Sequence, residues 1–208
     1  MTDPKSPIAG IILAAGMSTR LGRAKQLVQA DGQYLLDRVL DEALASDLDR
    51  IVLVLGHRAQ EVSAALKKRK DRDRLHILVN PDYRDGMSAS LRTGTESVQD
   101  IFSAIMVLLG DQPFVGAELI DLLIQRFRSS EQDICVPVCQ GRRGHPVIIG
   151  RRFYDAVMST TGDIGARHIL KSNPESVLHV EISDSRIFFD VDTPADIRNL
   201  QSWFPRKS

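Results

Sequence analysis

The sequence predicts an α/β fold: a doubly wound, mostly parallel sheet with helices on both faces. Three observations lead there. Short apolar runs alternate with helically spaced apolar residues up to about residue 130, a glycine-rich segment follows the first run, and 43% apolar residues among 208 suffice for one continuous core. Such alternation needs crossover connections, and right-handed crossovers place helices on both sides of the sheet.

Taken in order, Ile8 to Leu13 is an apolar run that ends in small residues, as a buried strand feeding a loop does. Leu35, Leu36, Val39, Leu40, Ala43 and Leu44 recur at helical spacing, and Ile51 to Leu55 is a run too short for a helix. Val62, Ala65 and Leu66 predict a second helix, and His76 to Val79 a strand that stops at the turn-forming Asn80-Pro81. Ser88 to Val98 reads as a helix entered through Asp85-Gly86, and Ala104 to Leu109 as a buried strand stopped by Gly110-Asp111-Gln112-Pro113. A helix from Ala117 to Phe127 follows. Beyond it, Ile134 to Val138, Pro146 to Ile149 and Ile187 to Phe189 read as strands with some antiparallel pairing, and Gly165 to Leu170 and Pro194 to Trp203 as helices. With no internal repeat or low-complexity linker, one domain over 1–208 is expected, with flexible ends at 1–7 and 205–208.

Charge and composition narrow the function. The 27 basic and 27 acidic residues cancel, so no global field attracts a nucleic-acid backbone or an anionic membrane. A small-molecule partner is expected instead. Cys135 and Cys139 form no Cys-x-x-Cys pair, which argues against a zinc knuckle or disulfide framework. Neither a membrane span nor a signal-peptide core is evident, so the expected compartment is the cytoplasm.

The chemistry concentrates in Leu13-Ala14-Ala15-Gly16-Met17-Ser18-Thr19-Arg20-Leu21-Gly22-Arg23-Ala24-Lys25, directly after the first strand. Ligands of doubly wound sheets gather beyond the carboxyl ends of the strands. Ala14, Ala15 and Gly16 let the main chain approach a ligand, backbone N–H groups of such a turn cradle phosphate oxygens, and Arg20 and Lys25 add positive charge. The bland reading is a loop with two solvated cations. Neither G-x-x-x-x-G-K-[ST] nor G-x-G-x-x-G occurs here, so a P-loop kinase and a dinucleotide dehydrogenase lose ground.

This segment resembles the L-A-A-G-x-S-x-R-x-G-x-x-K signature of the molybdenum-cofactor nucleotidyltransferases, within the sugar-nucleotide pyrophosphorylase-like fold. Every fixed position is matched. The resemblance extends through Asn80-Pro81-Asp82-Tyr83, Gly86 to Leu91, Gly110 to Pro113, Gly144-His145-Pro146 and Asp190-Val191-Asp192-Thr193-Pro194, in the family's order.

The resemblance implies transfer of CMP from CTP to the phosphate of molybdopterin or its molybdenum form, with Mg²⁺ as cofactor and pyrophosphate as leaving group. It makes Arg20, Lys25 and Asp111 the catalytic set, and Asp111 with Asp192 the metal ligands; Mg²⁺ needs only one or two protein carboxylates beside phosphate oxygens. Asp190 stands open as a further ligand, by alternation with Asp192 along an extended strand. Thr193 before Pro194 also has the form of a helix N-cap. Leu13, Ala14, Ala15, Gly16, Lys25, Gly86, Ser88 and Ser90 form the implied nucleotide site, with helix capping the competing role for the two serines. His145 and Arg167 are implied at the acceptor, against readings as a structural histidine and an exposed arginine. Ala15 marks CTP over GTP, since guanylyltransferase relatives resemble Leu-Ala-Gly-Gly. Transient contact with a molybdenum enzyme or its chaperone is the implied protein partnership.

Three alternatives remain: GMP transfer or another phosphorylated acceptor, a nicotinamide-dependent oxidoreductase of heteroaromatic pigments, and a non-catalytic nucleotide sensor. Intact Lys25, Asp111 and Asp192 argue against the last.

Overall fold

A computed structural model describes residues 6–18, 21–22, 24–66 and 73–204. Its strands are β1 (Ile8–Ala14), β2 (Gln29–Ala30), β3 (Gln33–Tyr34), β4 (Arg50–Leu55), β5 (Leu75–Val79), β6 (Ala104–Leu109), β7 (Ile134–Cys139), β8 (Arg142–Arg143), β9 (Val147–Gly150) and β10 (Val177–Glu181). The helices are α1 (Leu35–Ala45), α2 (Ala59–Leu66), α3 (Met87–Glu96), α4 (Ala117–Arg128), α5 (Tyr154–Met158), α6 (Arg167–Ser172) and α7 (Pro194–Trp203).

The main sheet runs β10-β7-β9-β6-β1-β4-β5, with β8 beside β7. β1 pairs in parallel with β4 and β6, β4 with β5, and β10 with β7, whereas β9 runs antiparallel to both β6 and β7. This is the expected mixed α/β sheet.

Period-two alternation explains the layers. Ile8 and Ile12 of β1 face α1, α2 and α4 in one buried cluster, while Ala9 and Ile11 face α3, α5 and α6 in another. Burying each large aliphatic side chain contributes about 1.5–3 kcal/mol, so the two faces fix the register of the strand between them. A third cluster joins Val28, Ala30 and Leu35 to Val191, Ile197 and Leu200, drawing the C-terminal helix α7 toward the segment after β1.

Several boundaries depart from expectation. Residues 185–188 form a 3-10 turn rather than a strand: Asp184 accepts the Arg186 N–H at 3.0 Å, which starts the turn, and Ile187 is buried against Gly144. The sequence reading missed β10, an edge strand that buries Val177 and Val180 but exposes His179 and Glu181. It also missed the β2–β3 hairpin, although Asp31-Gly32, with φ 54° and 74°, is the residue pair that a tight hairpin turn favours.

Of the expected flexible ends, 1–5 and 205–208 lie outside the described residues; Pro7 is held by the Ser103 N–H and hydroxyl at 3.0 and 2.9 Å. No helix among the described residues is long and apolar enough to cross a membrane.

Candidate active site

The register of the central strands builds the site. Leu13 of β1 lies opposite Leu109 of β6, and Ala14 opposite Leu55 of β4, so the segments that follow all three strands leave the sheet at one edge. The connection order reverses around β1, which is where a parallel sheet opens a crevice for ligands.

Two adjoining clefts occupy that edge. Both reach Leu13, Met87, Leu109 and Asp163. The first, of about 230 Å³, is lined by residues 13–17 with Lys25, Gly86, Ser90 and Asp111. The second, of about 330 Å³, takes in Gln112, His145, Arg167 and Asp190. Arg20 lies outside the described residues.

At the first cleft, Lys25 stands between two carboxylates. Its Nζ donates in close contact to Asp111 Oδ2 and at 3.1 Å to Asp192 Oδ1, joining three residues far apart in sequence. Burial alone would lower the Lys25 pKa, but the charges and hydrogen bonds of Asp111 and Asp192 outweigh it and raise the pKa. The ammonium therefore remains charged at neutral pH.

Two carboxylates converging on one cation position beside the first cleft are donors of the kind that Mg²⁺ prefers, with phosphate oxygens and water completing its shell. Asp111 and Asp192 are the described residues that fit this role. Thr193 caps α7 as expected: its side chain accepts the Asp196 N–H at 3.2 Å, while Asp196 Oδ2 accepts the N–H groups of Thr193 and Asp192 at 2.7 and 3.1 Å. The same capping box thus fixes the backbone of Asp192.

The two serines take different positions. Ser90 Oγ accepts from Asn80 Nδ2 at 3.1 Å and lines the cleft, whereas Ser88 is fully buried and accepts the Gly165 N–H at 3.2 Å. Neither caps α3. The Met87 N–H instead donates to Asp163 Oδ1 at 3.0 Å, and Gly86, at φ 95°, allows that approach because a Cβ there would come within 2.5 Å of Gly162.

Other residues in the wall have roles that the sequence reading did not assign. Gln26 is buried and donates to the Ala14 carbonyl at 2.6 Å, while Tyr83 and Arg84 line the cleft. Gly56, just beyond β4, lets Tyr83 and Ala15 close over it. A Cβ there would lie 2.5 Å from Tyr83 Cβ and 2.8 Å from Ala15 Cβ. Gly56→Ala is therefore expected to overpack the wall at a cost of about 1–3 kcal/mol and lower Tm by on the order of 5 °C. A melting curve matching wild type would show that the wall yields freely.

The second cleft carries charged groups of both signs among its apolar side chains. His145 Nδ1 faces the Val107 carbonyl at 3.4 Å, and burial lowers the His145 pKa despite that contact, with Arg167 also disfavouring its charge. The imidazole is neutral at neutral pH. Arg167 is largely exposed at the start of α6. Asp190 belongs to this side, since Gln112 Nε2 donates to its Oδ1 at 2.7 Å. Burial raises the Asp190 pKa; Asp111 and Asp192 add to the rise, against the Gln112 hydrogen bond and Lys25.

The MobA-like NTP transferase domain matches residues 10–177. Nicotine blue oxidoreductase of Paenarthrobacter nicotinovorans is 34% identical over 96% of this chain and 100% of its own length. Molybdenum cofactor cytidylyltransferase of Escherichia coli K12 is 27% identical over 92% of this chain and 94% of its own. The crystal structure of Rv0371c of Mycobacterium tuberculosis H37Rv in complex with manganese superposes with a TM-score of 0.79 at 27% identity, covering 95% of this chain and 99% of that one.

Proposed function

Because the chain belongs to the MobA-like NTP transferase family and is a nucleotidyltransferase, we propose that it moves CMP from CTP to the terminal phosphate of molybdopterin or its molybdenum form. The observation that carries this reading is Lys25 held between Asp111 and Asp192 at the wall of the first cleft. An oxygen of the acceptor phosphate bonds to the α-phosphorus of CTP, the bond from that phosphorus to the bridging oxygen breaks, and pyrophosphate leaves with the electron pair. The acceptor phosphate is already ionised near neutral pH, so no general base is required.

Catalysis then rests on holding two anions together and offsetting the charge that spreads over the α-phosphate and leaving group. Lys25 meets that charge from the loop side. Mg²⁺, held by Asp111 and Asp192, would supply Lewis-acid stabilisation of the same phosphates. The cytoplasm is the proposed compartment, and transient handover of product to a molybdenum enzyme or its chaperone the proposed partnership.

Cytosine is the proposed base because Ala15 is buried in the wall of the first cleft, with its methyl packed toward Gly56. The carbonyls of Leu13 and Ala15 accept the N–H groups of Gly110 and His57 at 3.0 and 3.2 Å, which fixes their direction while each keeps a second lone pair. A smaller ring fits beside that methyl, and a larger one loses both space and hydrogen bonds. The expected kcat/KM ratio for CTP over GTP is at least about 100-fold, and Ala15→Gly relaxes it without reversing it. Measured with one acceptor, a wild-type preference for GTP overturns the cytidylyl reading.

The name of the 34% identical relative favours one alternative of another class, nicotinamide-dependent reduction of a heteroaromatic ring. The deciding assay supplies molybdopterin, Mg²⁺ and each NTP in turn, scoring pyrophosphate and the dinucleotide product, beside a parallel NAD(P)H oxidation assay. Pyrophosphate release with CTP supports transfer. NAD(P)H oxidation without pyrophosphate release supports the alternative.

A further inference from the structure

The Asp111-Gln112 dipeptide meets the Asp190 to Asp192 segment in a crossed pairing. Asp111 and Asp192 share Lys25 on one side, while Gln112 and Asp190 share a hydrogen bond of 2.7 Å on the other. The Val191 N–H donates to the Asp111 carbonyl at 3.2 Å and the Val191 side chain is fully buried, so the two segments are pinned at the crossing. Asp190 is thereby assigned to the larger cleft.

That cleft combines apolar walls with charged groups of both signs, Arg142, Arg143 and Arg167 beside Asp163 and Asp190. Leu91, Val107, Val147 and Leu170 give apolar walls, and Phe188 adds a ring held under the Arg142 guanidinium at 4.2 Å. Among these walls Asp190 offers carboxylate oxygens, and Gln112 is the one hydrogen-bond donor it has among the described residues. Gln112 is itself only 5% exposed, and its Oε1 is buried without a donor. Where Asp190 and Gln112 meet, the lining offers carboxylate and amide oxygens as acceptors, which suits a ring edge presenting N–H donors, while the arginines stand available for an anionic group. A carboxylate accepts two parallel N–H bonds best, and an amino group beside a ring N–H presents that pair.

We propose that Asp190, oriented by Gln112, is a specificity-determining residue that reads the amino and ring N–H edge of a 2-amino-4-oxopyrimidine-type heterocycle in the acceptor cleft. The inference rests on the acceptor reading above and sharpens it: the acceptor is recognised at its ring edge as well as at its phosphate. Asp190 touches the ring and not the reacting phosphorus.

The test uses pterin and lumazine, which differ in carrying an amino or an oxo group at position 2. Affinity of the full chain for each is read from ring fluorescence in the presence of CTP and Mg²⁺. Wild type is expected to hold pterin on the order of tenfold to a hundredfold more tightly, because an oxo group opposes a carboxylate where an amino group donates to it. Asp190→Asn is expected to erase that preference while keeping CTP affinity, measured by dialysis of the same samples. Gln112→Leu, which keeps the carboxylate but frees it to turn, is expected to reduce the preference several-fold.

Equal wild-type affinity for the two rings overturns the inference. So does an Asp190→Asn protein that keeps the preference but loses Mn²⁺ binding by electron paramagnetic resonance, since Asp190 would then serve the metal. Pterin selectivity without pyrophosphate release in the transfer assay would instead defeat the CMP-transfer reading and leave the ring-edge assignment in place.

Discussion

Lys25→Ala is expected to reduce pyrophosphate release by about 10²–10³-fold, the scale seen when one preorganised donor to a developing charge is removed. Its contacts with Asp111 and Asp192 make a second effect measurable without turnover. Removing the ammonium leaves two carboxylates facing each other with their shared cation gone, and a partly buried charge without its partner destabilises the fold. Tm is therefore expected to fall by a few degrees, and Mg²⁺ is expected to raise the Tm of the variant more than that of wild type, because the ion no longer competes with an internal cation.

The sign of the pKa shift sets the pH range. A folded-state lysine pKa raised above its ordinary value contributes stability that is present through neutral pH and fades only as pH rises past the lysine range. The stability difference between wild type and variant should thus be flat from pH 6 to about 9. Wild-type turnover, or equal Mg²⁺ responses in the two proteins, would remove Lys25 from the phosphate path.

What the sequence made legible was mostly what local chemistry dictates. Apolar runs located β1, β4 and β6, and a threonine before proline located the cap of α7, since each signal lies within a few residues. The residues around Lys25 were legible as a group through the ordered motifs of the family resemblance, and the structure brings Lys25, Asp111 and Asp192 into contact. The burial of Ser88 was not legible, because its hydroxyl accepts from the Gly165 N–H, a partner that only the tertiary fold supplies.

The same limit applies to Asp190. Alternation along a strand would set it beside Asp192 on one ligand, but residues 185–188 turn before it, and Gln112 draws its carboxylate into the other cleft. Gly56 carried no local signal at all: the need for a missing Cβ arises from Ala15 and Tyr83, which reach it from separate segments.

Asp111→Asn is expected to lower Mg²⁺-dependent turnover by about 10³-fold or more while the protein still melts cooperatively. Asparagine keeps the shape at the end of β6 but withdraws the anion from the proposed metal and from Lys25. Asp192 has 42% of its side chain exposed against 15% for Asp111, so water more readily replaces it as a ligand, and Asp192→Asn is expected to cost less, about 10–100-fold. The double variant separates two arrangements. If both carboxylates serve one ion, removing the second after the first has little left to disrupt, and the combined loss falls well short of the product of the single losses. Independent roles would instead multiply. Titrating Mn²⁺ by electron paramagnetic resonance in the same four proteins, without substrate, reads the shared ion directly: each single variant should weaken binding and the double variant should abolish it. A product-like loss of turnover, with Mn²⁺ affinity unchanged in Asp192→Asn, would leave Asp111 alone at the metal and make Asp192 a counter-charge to Lys25.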